Sequence, residues 1–347
     1  MISRAFAIVL LLGGSALAAD LAGLQRLLEQ AGAPGQTEDT ARMAAFQAKR
    51  ELLRQLCQTD DALRNAFAPR LVTGLSDPRP EMRIAAAQAL TVKPKEENVD
   101  CVLFALQTDS NPAVRWTFVR CVMRSISGLP EPARGAVVTT AIEVFEDIVR
   151  EPATKLELRR LLVVSLGGLG PAALPAIGAL QGDRRWGSIL HSELPAALGA
   201  TGDPGACVDI VALYESDSSV GFRAGCIQAI GELLRRASAA DLPALGPATD
   251  LLRSNILQRP DPRLAASAVT AYSQCPGART DGQIVGAICS RLQDASGDER
   301  KAYLRALLAL DLPLGPETRT FLEIIRDSET APVIHRKVAA AILTAHE

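Results

Sequence analysis

The chain has 347 residues, 48% of them hydrophobic but only 4% aromatic, and a formal net charge of -2. It is long enough to bury a large core, built from Ala, Leu and Val rather than from large rings, which suits closely packed helices. Nucleic-acid binding needs a strongly basic surface, and a chain this close to neutrality does not supply one.

Residues 1–18 read as a secretory signal: Arg4, an apolar run from Ala5 to Leu12, then Ala16-Leu17-Ala18 as a small-x-small cleavage site. Cleavage after Ala18 is expected, leaving the protein periplasmic or secreted. Since Arg4 is the only charged side chain removed, the net charge moves from -2 to -3. The apolar run is too short to span a bilayer comfortably, and no later stretch approaches the roughly twenty apolar residues of a membrane helix, so no membrane insertion follows cleavage. Residues 19–39 carry one short apolar stripe, Leu21, Leu24, Leu27 and Leu28, followed by the loop-like AGAPGQTED, and read as a capping segment.

From residue 40 to 347 a single pattern recurs, most completely between Leu198 and Leu234. There Gly202-Asp203-Pro204 opens a helix, A, whose apolar stripe is Val208, Val211, Ala212 and Leu213. The cluster Glu215 to Ser219 breaks the periodicity. A second amphipathic helix, B, then carries Val220, Ala224, Ile227, Ile230, Leu233 and Leu234. Asp217 precedes Arg223 by six residues, so its carboxylate is placed to accept the N–H groups that start helix B and to meet the guanidinium one turn in.

Taking Arg223 as a register mark, the marks fall at Arg50, Arg83, Arg115, Arg159, His191, Arg223, Ala265, Arg300 and His335, at intervals of 33, 32, 44, 32, 32, 42, 35 and 35. An acidic residue stands six before the mark in Asp77/Arg83, Asp109/Arg115, Asp217/Arg223, Asp294/Arg300 and Glu329/His335. Gly167, Gly199 and Gly231 share one slot at intervals of 32. Thr40 to Cys57 is the first B-type helix, and Ala62 to Leu75 an A-type helix with Leu63, Phe67, Leu71 and Leu75. Two long links, Ser127 to Gly135 and Ala237 to Ala248, account for the two long intervals. Periods of this size predict stacked units, none able to bury its apolar face alone: an all-α solenoid of about eight to nine helical hairpins, with no domain boundary inside it. The last helix, with Val338, Ile342 and Leu343, is expected to leave one face partly open.

The stretches SDPRPEMRIAAAQAL (Ser76 to Leu90), TDSNPAVRWTFVRCV (Thr108 to Val122), ALGATGDP (Ala197 to Pro204) and SDSSVGFRAGCIQAIGEL (Ser216 to Leu233) resemble HEAT repeats. The resemblance implies a ladder between successive repeats, mapping onto Asp77, Asp109, Asp217 and Asp294 with Arg83, Arg115, Arg223 and Arg300. It also implies a scaffold, whose motif residues are structural. Ala265 and the two His marks depart from the pattern.

Seven cysteines in an exported chain invite disulfides. Cys101/Cys121 and Cys207/Cys226 each place one Cys on either helix of a hairpin, 20 and 19 residues apart and at comparable heights; Cys275 and Cys289 form a third candidate pair. Cys57 is left over. The alternative is that they are small buried hydrophobes, which free Cys imitates well. His191, His335 and His346 lie in distant repeats and no ligand spacing appears, so no metal or other cofactor is expected. No nucleophile elbow is present, Gly167 to Gly170 lacks the Lys-Ser/Thr ending of a phosphate loop, and acidic clusters such as Glu143, Glu146 and Asp147 read as solvated faces.

In such a stack B helices line the concave side, and positions one and five after each mark point away from the buried stripe. Trp116, Arg120, Arg124 and Arg160 would form an aromatic-basic patch of interface composition; the competing reading packs Trp116 between repeats. The expected function is a noncatalytic scaffold binding a protein partner in the periplasm or envelope. The rivals are a HEAT-like enzyme of the bilin lyase type, which needs clustered Cys, His or acids in a pocket, and a HEAT-like nucleic-acid repair protein, which needs a basic groove.

Overall fold

The structure is a computed structural model and describes residues 71–345 except 259–260, 276–277, 279–280, 296 and 311–314, together with Met43 and Ala68. The signal and capping segments, the Arg50 mark, the helix ending at Cys57, most of the helix from Ala62, and His346 lie outside the described residues. Among the described residues every regular element is helical, and the protein is an all-α helical-repeat solenoid. Two compact units, residues 1–162 and 163–347, are taken in turn.

In the first unit α1 (Pro80–Leu90), α2 (Glu96–Thr108), α3 (Pro112–Ile126) and α4 (Ala133–Arg150) alternate as B, A, B, A; α5 (Leu156–Gly168) begins in this unit as the next B helix. Pro80 and Pro112 stand in the first turns of α1 and α3, where a missing N–H costs nothing. The Asn111 side chain accepts from the Ala113 and Val114 amides at 2.9 and 3.4 Å, closing the start of α3. A packs on A (α2 on α4), B on B (α1 on α3), and α2 also lies against α3. The inward face of α1 is almost all alanine, Ala85, Ala86, Ala87 and Ala89, which allows close helix approach. The large groups are Phe118 and Phe145, both fully buried, each contributing about 1.5–3 kcal/mol by leaving water.

The second unit continues with α6 (Leu174–Gly182), the single turn α7 (Trp186–Ile189), α8 (Leu194–Ala200), α9 (Ala206–Ser216), α10 (Val220–Arg236), α11 (Gly246–Gln258), α12 (Pro262–Tyr272), α13 (Gly282–Leu292), α14 (Gly297–Leu310), α15 (Pro316–Asp327) and α16 (Val333–Ala345). The B helices α8, α10, α12, α14 and α16 stack in that order, and the A helices α9, α11 and α13 do the same. The long link before α11 holds a 3-10 turn at Ala239–Asp241, closed by a reciprocal Ser238 and Asp241 capping box.

Three expectations change. The inward stripe of α9 is Cys207, Ile210, Leu213 and Tyr214, whereas Val208 is 57% exposed; at 100° per residue Val208 falls one position off the stripe. His191 lies in the turn ahead of α8 rather than inside it, because Pro195 belongs to the first turn of α8 and a proline there sets a helix start. The last helix buries Ile342 and Leu343, while Val333 and Ile334 at its start are the exposed apolar side chains.

Candidate functional site: the turn ladder and the B-helix face

In three A-B turns the acid accepts the backbone N–H two residues on: Asp77 from Arg79 at 2.8 Å, Asp109 from Asn111 at 2.7 Å, and Asp217 from Ser219 at 2.7 Å. The Asp109 and Asp217 carboxylates face the previous repeat, toward Arg83 and His191, while that of Asp77 also takes the Arg79 side chain of its own turn. Arg83 forks onto Asp109, Nε to Oδ2 at 2.6 Å and a terminal nitrogen to Oδ1 at 3.0 Å, with side chains 14% and 5% exposed. Such a bidentate pair is both strong and orienting. Burial raises the Asp77 carboxyl, but bonds from the Arg79 side chain and backbone outweigh it and hold that group below its ordinary value.

The partner of Arg115 is Glu151, at 2.8 Å, in a turn where the sequence frame held no acid. The Arg115 hydrogen bond is the main reason the Glu151 carboxyl is lowered. Sequence spacing missed Glu151 because it stands eight, not six, before the Arg159 mark.

The expected pairing of Asp217 with Arg223 inside one hairpin does not form. Arg223 Nε instead donates to the Asp217 backbone carbonyl at 2.7 Å and to that of Tyr214 at 3.2 Å. The Asp217 carboxylate faces His191 Nε2 at 3.4 Å, whose ring stacks on Phe222 with centroids 4.1 Å apart. Arg83, Arg159 and Arg300 repeat the arrangement, donating to the carbonyls of Asp77, Glu151 and Gln293. The physical reason is common to all: the end of an A helix leaves carbonyls without N–H partners, and an arginine one turn into the following helix reaches them. At Glu151 and Asp217 the turn's own acid faces the previous repeat instead.

At the Ala265 mark, other groups tie the repeats. Arg253 pairs with Asp281, which also accepts from the Tyr272 hydroxyl at 2.6 Å, and Arg291 donates to the carbonyls of Ile256 and Leu257 that end α11. These cations stand on A helices, where no register rule pointed to them.

None of the three expected cysteine pairs is bridged: Cys101 is not joined to Cys121, Cys207 to Cys226, or Cys275 to Cys289. Cys207 is fully buried and its Sγ donates to the Ala244 carbonyl at 3.0 Å. Burial pushes the Cys226 thiol up to about 12 from its ordinary 9.0. These side chains act as small apolar groups. Because the folded value is the higher, the contribution of Cys226 to stability is full below pH 9.0 and lost as pH rises toward about 12. Cys226 is therefore expected to resist alkylation by iodoacetamide at pH 8 in the native protein and to react on unfolding, as peptide mass mapping would show.

Trp116, Arg120 and Arg124 follow one another at four-residue spacing along one face of α3. Trp116 is 39% exposed, so it is not packed between repeats. Arg120 and Arg124 are exposed, and neither forms an ion pair among the described residues. Arg160 is exposed at the corresponding position of a separate helix, α5. The row offers a flat ring beside two cations, a surface for an aromatic or acidic side chain, and holds no nucleophile or general base. No group of His, Cys, Asp and Glu among the described residues is arranged to hold a metal ion, and no described helix is long and apolar enough to cross a membrane.

Residues 68–156 match a family model of HEAT repeats. Among solved structures, Kap95p, in a structure concerning its binding of RanGDP, is 11% identical with a TM-score of 0.54, covering 98% of this chain and 50% of that one. Kap121p is 12% identical with a TM-score of 0.46, covering 99% of this chain and 45% of that one. An engineered protein is 16% identical with a TM-score of 0.40, covering 93% and 88%. The chain thus spans about half the length of Kap95p and Kap121p. No curated protein matches it in sequence.

Proposed function

We propose that this helical-repeat solenoid, whose residues 68–156 match HEAT repeats, is a noncatalytic protein-binding scaffold of the periplasm or cell envelope that presents its B-helix face to a protein partner. The observation carrying this reading is the exposed row on α3, Trp116 with Arg120 and Arg124, placed outside the core and outside the turn ladder. Exposed Trp and Arg are the residue types that dominate interface energetics. The secretory character of residues 1–18 supports the address.

The test is a pull-down from an envelope fraction with the mature chain as bait, alongside Trp116→Ala and Arg120→Glu. The parent is expected to capture a partner that both variants lose, since hot-spot truncation costs about 2 kcal/mol or more, roughly thirtyfold in affinity. N-terminal sequencing of the bait from cells should start at Ala19. Variants that keep every partner sink the α3 surface, and a first residue of Met1 sinks the address.

A further inference from the structure

The B-helix face of the second unit holds a trough of about 520 Å³ over α10, α12 and α14. Its floor is made of short side chains: Gly231 on α10, Ala271 on α12 and Ala302 on α14 are buried. Its walls are long and charged. On α10, Glu232 pairs with both Arg235 and Arg236, at 2.6 and 2.8 Å, so one carboxylate is shared by two cations and that wall too stays positive. On α14, Lys301 and Arg305 line the trough with no ion pair among the described residues, and Asp298 is the acid that α14 itself adds to the lining.

From this arrangement we infer that the trough binds an extended acidic peptide segment with carboxylates at alternate positions; the inference rests on the scaffold reading and adds a partner chemistry to it. Two features select an extended chain over a helix. A docking helix buries an apolar stripe, and this floor offers only alanine methyls and a glycine. An extended chain brings unpaired N–H and C=O groups instead. The exposed amides of Gln228 and Gln274, lining the trough, can meet both kinds, and the Thr270 hydroxyl, which donates to the Ala266 carbonyl at 2.9 Å, can accept an N–H.

Spacing selects the alternation. Lys301 and Arg305 are four residues apart on a helix, about 6 Å of rise. Same-face residues of an extended chain, two apart, are about 6.6 Å apart. A strand laid along α12 therefore presents successive carboxylates to the two cations in register. α12 itself offers Thr270 and Gln274, also four residues and about 6 Å of rise apart, beneath the backbone of that strand, with Ser267 one turn before them.

The experiment uses the full mature chain and three fluorescein-labelled ten-residue peptides alternating Ser with Glu, Gln or Lys, read by fluorescence anisotropy. The Glu–Ser peptide is expected to saturate with a Kd below about 1 mM. Its affinity should fall at least tenfold in Lys301→Glu/Arg305→Glu and in Thr270→Trp, which fills the floor. The Gln–Ser and Lys–Ser peptides should bind at least tenfold more weakly than Glu–Ser. Thr270 and Arg305 are exposed and Lys301 is half-buried, so thermal melts by circular dichroism should stay close to the parent. Arg120→Glu, on the other unit, should leave peptide affinity unchanged. Failure of the Glu–Ser peptide to saturate, or undiminished binding by Thr270→Trp, overturns the trough. Capture that depends on Trp116 survives either result, which separates this inference from the scaffold reading.

Discussion

Gly167→Ala is expected to lower stability by about 3 kcal/mol, at the upper end of overpacking penalties. A Cβ built at Gly167 would lie within contact-forbidden range of the Ala197 backbone, 2.7 Å from its carbonyl carbon and closer still to its oxygen. Backbone in α8 cannot yield as a flexible side chain would. The same slot one repeat on, Gly199, would place its Cβ 2.8 Å from the Ala229 Cα. The slot recurs because B helices cross there at backbone contact, and only hydrogen fits. Gly178, on α6, is the control: nothing lies within 4 Å of its would-be Cβ, so Gly178→Ala should stabilise by about 0.5–1 kcal/mol through helix propensity alone. Urea midpoints that fall for both, or for neither, remove close crossing as the explanation of the glycine periodicity.

The second large effect belongs to the ladder. Asp109→Ala removes the acceptor of a forked guanidinium whose side chain is only 14% exposed and leaves the Asn111 amide without its turn partner. Breaking one side of a buried pair costs about 3–5 kcal/mol because the remaining charge is stranded. With Arg83 still partly open to water, about 3 kcal/mol is expected here. Replacing both partners, Arg83→Met with Asp109→Leu, should recover most of that loss, since neither charge is then buried unpaired. A double-mutant cycle in urea reads the coupling directly; a pair whose single and double substitutions simply add would mean that Arg83 and Asp109 do not act together.

Much of this architecture is legible in the chain. Pro80 and Pro112 mark helix starts because proline lacks an N–H to lose, and the 32-residue spacing of Gly167 and Gly199 marks one helix crossing repeated. The position of Trp116 one residue after Arg115 already places it off the buried stripe. What could not be read was direction. Asp217 and Arg223 are six residues apart on any reading, yet the arginine turns to backbone carbonyls and the carboxylate to His191. Spacing along a chain states that two groups are near, but not which of several nearby acceptors each one takes.

Local periodicity and turn chemistry determined the helical hairpins and most of their register, the His191 mark and the Val208 stripe excepted, because they depend on contacts a few residues apart. The tertiary structure alone decided that Glu151 answers Arg115, that the expected cysteine pairs stay unbridged, and that short side chains on α12 leave a trough between charged walls. Those outcomes depend on how helices are laid against one another, within a hairpin for the cysteines and between repeats for the ladder and the trough, where packing rather than period sets what each side chain meets.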